Sequence, residues 1–191
     1  GEGGDQILRS TIGLSVLTNN DVEIYNIRKN RSNPGIKPQH YIAIKSIKEI
    51  CDAETKGLKI GSKKLFFKPG TVKTGRYRFD IKTAGSIPLV FQAIILSCLK
   101  IEKQISIQLK GGTDVRWSLS WDFFEHVFIP ILKKIGLNIE TKLIKRGYYP
   151  KGGGEAKITI KKTNKIIPLI YDDNQVFSKI NGIINSSNLP D

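Results

Sequence analysis

Apolar positions along the chain keep two rhythms, and the change from one to the other marks out its elements. Spacing of three and four residues predicts four helices. The first covers about 6–17, after a glycine turn, and the second begins near Gln39 with Ile44, Ile47 and Cys51 on one face. Residues 87–99 are apolar nearly all round, the pattern of a helix buried between layers. The fourth, about 120–135, spaces Trp121, Phe124, Phe128, Leu132 and Ile135 along one side. Ser120 suits its N-cap and Gly136 its C-terminal stop, and Pro130 should bend it. Between the helices, β-rich and alternating segments predict strands at 22–27, 64–67, 77–81, 105–109, 137–144 and 156–160.

The order helix-strand-helix-strand-strand then occurs twice, over roughly 5–81 and 86–161, an internal repeat of about 80 residues. A glycine turn opens the first helix of each copy, Gly3-Gly4 and Ala84-Gly85-Ser86. A basic loop rich in aromatics or glycine lies late in each, at 64–70 and 145–154. The expected fold class is α/β in an α+β two-layer form: tandem repeated βαβαββ-type units whose sheets are backed by helices. No strand leads into the opening glycine turn, so the first strand of the first unit is expected to lie outside this sequence. After Lys162 the pattern weakens.

Charge adds a partner class. Against 17 Asp and Glu stand 31 Lys and Arg, a net charge of +14, which favours a polyanionic partner, nucleic acid first. A solvated basic surface is the plainer alternative. Cys51 and Cys98 lie far apart in apolar helical contexts, so they read as core thiols rather than zinc ligands or a disulfide. The apolar run at 87–99 is too short to span a bilayer, and no signal peptide precedes it. The expectation is a cytoplasmic protein without a membrane partner.

Candidate chemistry concentrates in a few loops. Gly1-Glu2-Gly3-Gly4-Asp5-Gln6 stands directly before a helix, where free N–H groups and the helix dipole favour an anion; from spacing alone a plain glycine turn is the preferred reading. The segment 28–40 sets Arg28, Lys29, Arg31 and Lys37 among Pro34, Gly35 and Pro38, a restrained cationic loop suited to phosphates. His40, at a helix N-terminus, reads as a neutral hydrogen-bonding imidazole, and His126 as a packed or half-exposed one. Residues 70–77 have the glycine spacing of a P-loop but Arg76-Tyr77 where Lys-Ser or Lys-Thr is required, so a P-loop is rejected. Gly111-Gly112-Thr113-Asp114, near Trp117, could line a base pocket or form a tight turn.

In order, Glu2-Gly3-Gly4-Asp5-Gln6-Ile7-Leu8-Arg9, the loop from Asn26 to His40, Phe67-Lys68-Pro69-Gly70, Thr83-Ala84-Gly85-Ser86 with Gln92, Gly111 to Asp114, and Arg146-Gly147-Tyr148-Tyr149-Pro150 with Lys151 to Gly154 resemble RNA 3′-terminal phosphate cyclases. Six segments in the same order cover nearly all of residues 1–161. The resemblance implies repeated α/β units with a small inserted domain before the last. Residues 1–172 would then hold two units and 173–191 the beginning of the insert. It also implies ATP and Mg2+ or Mn2+ as cofactors, RNA 3′ ends as partners, and closure of a 3′-phosphate into a 2′,3′-cyclic phosphate through enzyme-AMP and RNA-adenylate intermediates.

Residue by residue, the resemblance gives Glu2 the metal, and Gln6, Arg9, Arg28, Arg31, Gln39, Gln92 and Leu119 contacts to ATP or phosphate. Lys37, Arg146 and Lys151 are given to RNA. The family's nucleophilic histidine falls in its last unit, outside this sequence, and matches neither His40 nor His126. Two positions depart from the pattern: Asp5 stands where a third glycine is usual, placing negative charge beside the phosphate site, and Leu119 where a proline usually packs against adenine. Two other readings stay open: a non-cyclising relative acting in RNA binding or ribosome assembly, and an enolpyruvyl-transferase-like enzyme with a small anionic substrate.

Overall fold

A computed structural model describes residues 4–170 and 178–187. Three helices lie side by side: α1 (Asp5–Thr18), α2 (Pro38–Cys51) and α3 (Ile87–Ser97), each touching the other two. All three begin within about a residue of where the sequence places them. Gly4 is the extended N-cap of α1, Pro38 opens α2 with its φ already helical, and the Ser86 hydroxyl accepts from the Leu89 N–H 3.3 Å away to cap α3. α1 and α2 stop at left-handed residues, Asn19 and Asp52.

Two sheets flank this bundle. β1 (Val22–Ile24), β3 (Leu65–Lys68) and β2 (Glu54–Lys56) form an antiparallel sheet in the order β1-β3-β2. β4 (Gly75–Asp80), β5 (Ile105–Gly111), β7 (Gly154–Ile160) and β6 (Ile139–Lys145) form the second, in the order β4-β5-β7-β6. Only β4 and β5 run parallel, joined by α3 as a crossover. α3 touches β5 and β7, and its Ile87, Val90, Phe91 and Ile94 are wholly buried. Nearly continuous apolar character is what a helix covered on several sides requires.

Two expectations change. The strand at 77–81 was grouped with the first unit; β4 instead pairs along β5 and begins the second sheet. The second late strand of the first unit is β2, three residues long and too polar, Glu54-Thr55-Lys56, to signal itself by alternation. The fourth helix is also not continuous. It divides into α4 (Trp121–Phe123), a π-turn (Phe124–Phe128) and α5 (Ile129–Lys134). Pro130 has no N–H for the ladder, and the register shifts just before it, where the Ile129 N–H bonds Phe124 O. Ser120 caps as expected, its hydroxyl accepting from the Phe123 N–H at 3.2 Å, and Gly136 ends α5 with φ 102°.

Cys51 and Cys98 are buried free thiols. Burial pushes the Cys98 thiol up to about 12, so it is protonated and unreactive. Among the described residues no helix is long and apolar enough to cross a membrane. Residues 178–187 have no regular secondary structure, and the remainder of 173–191 lies outside the described residues.

Candidate functional site

The site is built where the N-termini of α1, α2 and α3 converge. Asp5, in the first turn of α1, accepts from Arg28 Nε at 2.7 Å, and its Oδ1 lies 3.4 Å from Nε2 of His40 in the first turn of α2. Gln39 Oε1 accepts from the backbone N–H of Ser86, the N-cap of α3, at 3.3 Å. These contacts tie three helix ends together, so their unpaired N–H groups and positive dipole ends share one region.

Arg28 is delivered by a loop anchored at both ends. Ile27 and Ile36 are buried, and their N–H groups bond Lys63 O and Ser62 O at 3.1 and 2.9 Å. Gly35 makes the return possible: its φ is +83°, and a Cβ there would meet Gly61 O at 2.2 Å. Asn26 and Arg28 also take left-handed backbone, φ 54° and 55°, which is uncommon away from glycine. Arg28 Nη1 donates to Asn33 O at 2.6 Å, which leaves Arg31 on the exposed turn and Lys37 at the N-cap of α2.

His40 is the neutral imidazole that its position predicted. Its Nδ1 accepts from the Lys37 N–H at 3.2 Å, which assigns the proton to Nε2, toward Asp5. Burial lowers its pKa, and the attraction of Asp5 is opposed by Arg9 and Arg28. His126, by contrast, is exposed. Asp5, read from sequence as a negative charge beside the proposed phosphate site, is held by the Arg28 guanidinium and braces it.

One turn along α1, Arg9 is 6% exposed and donates through Nη2 to Gln6 Oε1 at 2.9 Å. Its Nε is buried with no hydrogen-bond partner among the described residues, and burial lowers its pKa against the pull of Asp5. Gln6, Arg9 and Gln92 of α3 share a cavity of about 470 Å3 whose remaining walls are mostly apolar, among them Leu96, Phe128 and Leu132. An added Cβ at Gly4 would meet nothing within 4 Å, so packing among the described residues does not call for glycine there.

A second pair of loops closes the same end. Thr113 and Gly147 exchange backbone and hydroxyl hydrogen bonds of 2.8 and 2.9 Å. Arg146 donates to Asp114 at 3.2 Å and to Asp122 at 2.7 Å. Hydrogen bonding to Arg146 holds the Asp122 carboxyl below its ordinary value. Arg146 thus has two carboxylate partners within the fold, whereas Lys151, on the same loop, is exposed. Leu119 is half-buried, and its neighbour Ser118 hydrogen-bonds Ser86, so its loop touches the start of α3. Glu2 lies outside the described residues.

The structure therefore brings Gln6, Arg9 and Gln92 to one cavity and Arg28 and Gln39 to the neighbouring helix ends, with Leu119, Arg146 and Lys151 on adjoining loops. Sequence reasoning missed Asp114 and Asp122 as partners of Arg146 and Ser86 as a meeting point. The Ser86-Ile87-Pro88 run is a capping signal that pointed to the last of these; nothing local pointed to the others.

Comparison with known proteins agrees along the whole chain. The RNA 3′-terminal phosphate cyclase family model matches residues 1–175. Proteins named RNA 3′-terminal phosphate cyclase from Staphylothermus marinus and Methanopyrus kandleri are 44% and 42% identical over 191 and 190 residues, 100% of this chain and 54% of each relative. The one from Pyrococcus furiosus is 43% identical over 190 residues and 56% of its own length. The chain spans about half the length of the curated relatives it matches.

Proposed function

The chain belongs to the RNA 3′-terminal phosphate cyclase family, and from that premise we propose that it supplies the ATP- and RNA-end-binding part of a cyclase reaction. In that reaction an RNA 3′-terminal phosphate becomes a 2′,3′-cyclic phosphodiester at the expense of ATP. The observation that carries the reading is the meeting of three helix N-termini around the Asp5, Arg28 and His40 cluster, beside the cavity of Gln6, Arg9 and Gln92.

ATP fits these residues chemically. Leaving a buried donor such as Arg9 Nε unpaired costs about 1–3 kcal/mol, and a ligand acceptor removes that cost. A mostly apolar cavity with a few polar groups suits a nucleoside, while cations beside helix N-termini suit its phosphates. In the reaction as proposed, a histidine beyond this sequence attacks the α-phosphorus and pyrophosphate leaves. AMP then passes to the RNA 3′-phosphate, and the neighbouring 2′-hydroxyl displaces AMP and closes the ring. Arg28 and Arg31 neutralise phosphate oxygens as charge develops on them. Gln39 fixes the start of α3, Gln92 and Leu119 hold the nucleoside, and neutral His40 adds no charge of its own. Lys37 and Lys151 take the RNA phosphates, and Arg146 positions the loop that carries Lys151. Magnesium or manganese would enter as the partner of the phosphates. Among the described residues no group of three His, Cys, Asp or Glu is placed to hold such an ion, so no step is assigned to it.

Titration calorimetry of the chain with ATP at fixed salt tests the reading. Arg28→Ala should weaken ATP by about tenfold, or about 1.4 kcal/mol. Unchanged affinity in both Arg28→Ala and Arg31→Ala would remove the phosphate pocket from the account. A wild-type chain that binds no ATP would remove the reading itself.

A further inference from the structure

Among the described residues, helices cover the second sheet on one face only. On that face Phe79, Ile107, Leu109 and Ile158 are buried, and α3 packs on β5 and β7. On the other, the register sets Arg78, Gln108, Lys157 and Lys142 in one row across all four strands. Three strand spacings of about 4.8 Å make this row roughly 14 Å long. The adjacent row, nearer the helix N-termini, is Asp80, Lys110, Glu155 and Lys145.

Two features give the face direction and order. Arg78 donates to Gln108 Oε1 at 3.2 Å and Gln108 to Glu155 Oε2 at 2.9 Å, which holds the middle of the face in place. At its upper edge Lys82, Lys110 and Lys151 surround a cavity of about 310 Å3, with Asp80 in the wall. Thr83 and Gly111 of that cavity lead directly into the turn where Gly112 N–H bonds Gly85 O at 2.9 Å, at the start of α3. A cationic path thus begins beside the candidate site and runs away from it across the strands. Lys110, Lys142 and Lys157 form no ion pair among the described residues. Tyr149, 71% exposed on the loop of Lys151, offers a ring at the same edge.

We propose that this outer sheet face is a second RNA-binding surface, which holds the phosphodiester backbone of the single strand behind the 3′ end while that end occupies the helix N-termini. It rests on the cyclase reading for its substrate. Separated point cations on a flat polar face match sequence-independent phosphate contacts, and an exposed aromatic at the entrance matches base stacking. Charge complementarity selects this occupant over an apolar protein partner.

Fluorescence anisotropy of the 191-residue chain with a short and a long single-stranded RNA, both ending in a 3′-phosphate, tests it. Arg78→Gln/Lys142→Gln/Lys157→Gln should weaken the long strand about tenfold and lower the slope of log affinity against log salt by roughly 2, at about 0.7 per lost contact. Affinity for the short strand and for ATP should not move. Lys45→Gln/Lys59→Gln/Lys63→Gln, which removes the same charge elsewhere, should leave the long strand unchanged. Equal weakening by both triples, or none by the first, overturns the surface. If Arg28→Ala weakens the long strand and the sheet triple does not, the surface fails and the cyclase reading stands. A wild-type chain that binds neither strand overturns both.

Discussion

Loop for loop, the two sheets of this chain are the same design used for opposite electrostatic ends. The orders β1-β3-β2 and β5-β7-β6 correspond, with β4 added beside β5 in the second sheet. The loop after β1 and the loop after β5 each lead into a helix at the same end of the molecule. In the first, the loop supplies a cation, Arg28, to a carboxylate on α1. In the second, the loop supplies a carboxylate, Asp114, to a cation on the following hairpin, Arg146. Among the described residues the first loop ties Arg28 to one carboxylate and a backbone carbonyl, and the second ties its carboxylate to an arginine that a second acid also holds. Topology alone therefore does not set the electrostatics of each loop; the partners of each charge do.

The strongest way to break the comparison is through α3, which packs on both helices of the first unit and on the sheet of the second. Phe91 is fully buried, with ring centroids 6.5 Å from Trp121 and 6.0 Å from Phe124. Phe91→Ala should cost about 4 kcal/mol, as a cavity at a large aromatic does, and chemical denaturation should show one weakened transition rather than loss of the second unit alone. A smaller break is Arg146→Ala. It leaves Asp114 and Asp122, with side chains 14% and 18% exposed, without their cation, and should cost about 2 kcal/mol in a urea melt. ATP affinity should be unaffected. If ATP binding falls more than stability does, Arg146 belongs with the ligand and the contrast between the loops fails.

Much of this is legible in the sequence alone. Ser120 and Gly136 mark helix ends by chemistry that acts within a few residues, and 87–99 shows its burial in its composition. The cationic loop and the neutral state of His40 were readable for the same local reason. What could not be read depends on register over long separations. β4 belongs with β5 because of a parallel pairing across α3, and Arg146 meets Asp114 and Asp122 across 32 and 24 residues. The pairing of Asp5 with Arg28 could not be read either, because Arg28 lies 23 residues away in sequence and 2.7 Å away in space. The row of Arg78, Gln108, Lys157 and Lys142 is invisible until four strands are set in register.

The finest test separates the two loops by the pH at which each releases its hold. In the first unit the sensitive group is His40, faced by Asp5, Arg9 and Arg28, with a pKa lowered chiefly by burial. The unfolded chain binds its proton near pH 6.5 and the folded chain only below that. The stability that neutral His40 contributes is complete above about 6.5 and is lost as pH falls toward the lowered folded value. In the second unit Asp122 is held low by Arg146, so its contribution persists through that window. It is lost only as pH falls below the ordinary carboxylate range, near 3.9. Stability measured by urea at steps between pH 7.5 and 5 should therefore fall in the wild type by at most about 1.4 kcal/mol per pH unit. His40→Gln, whose amide oxygen can still accept from the Lys37 N–H, should flatten that slope, while Asp122→Asn should leave the slope intact, lower stability by a constant amount across this window, and change the pH dependence only below about 3.9. Equal slopes in wild type and His40→Gln would mean that the acid sensitivity of this end does not come from the histidine, and the two loops would no longer differ in how they respond to protons.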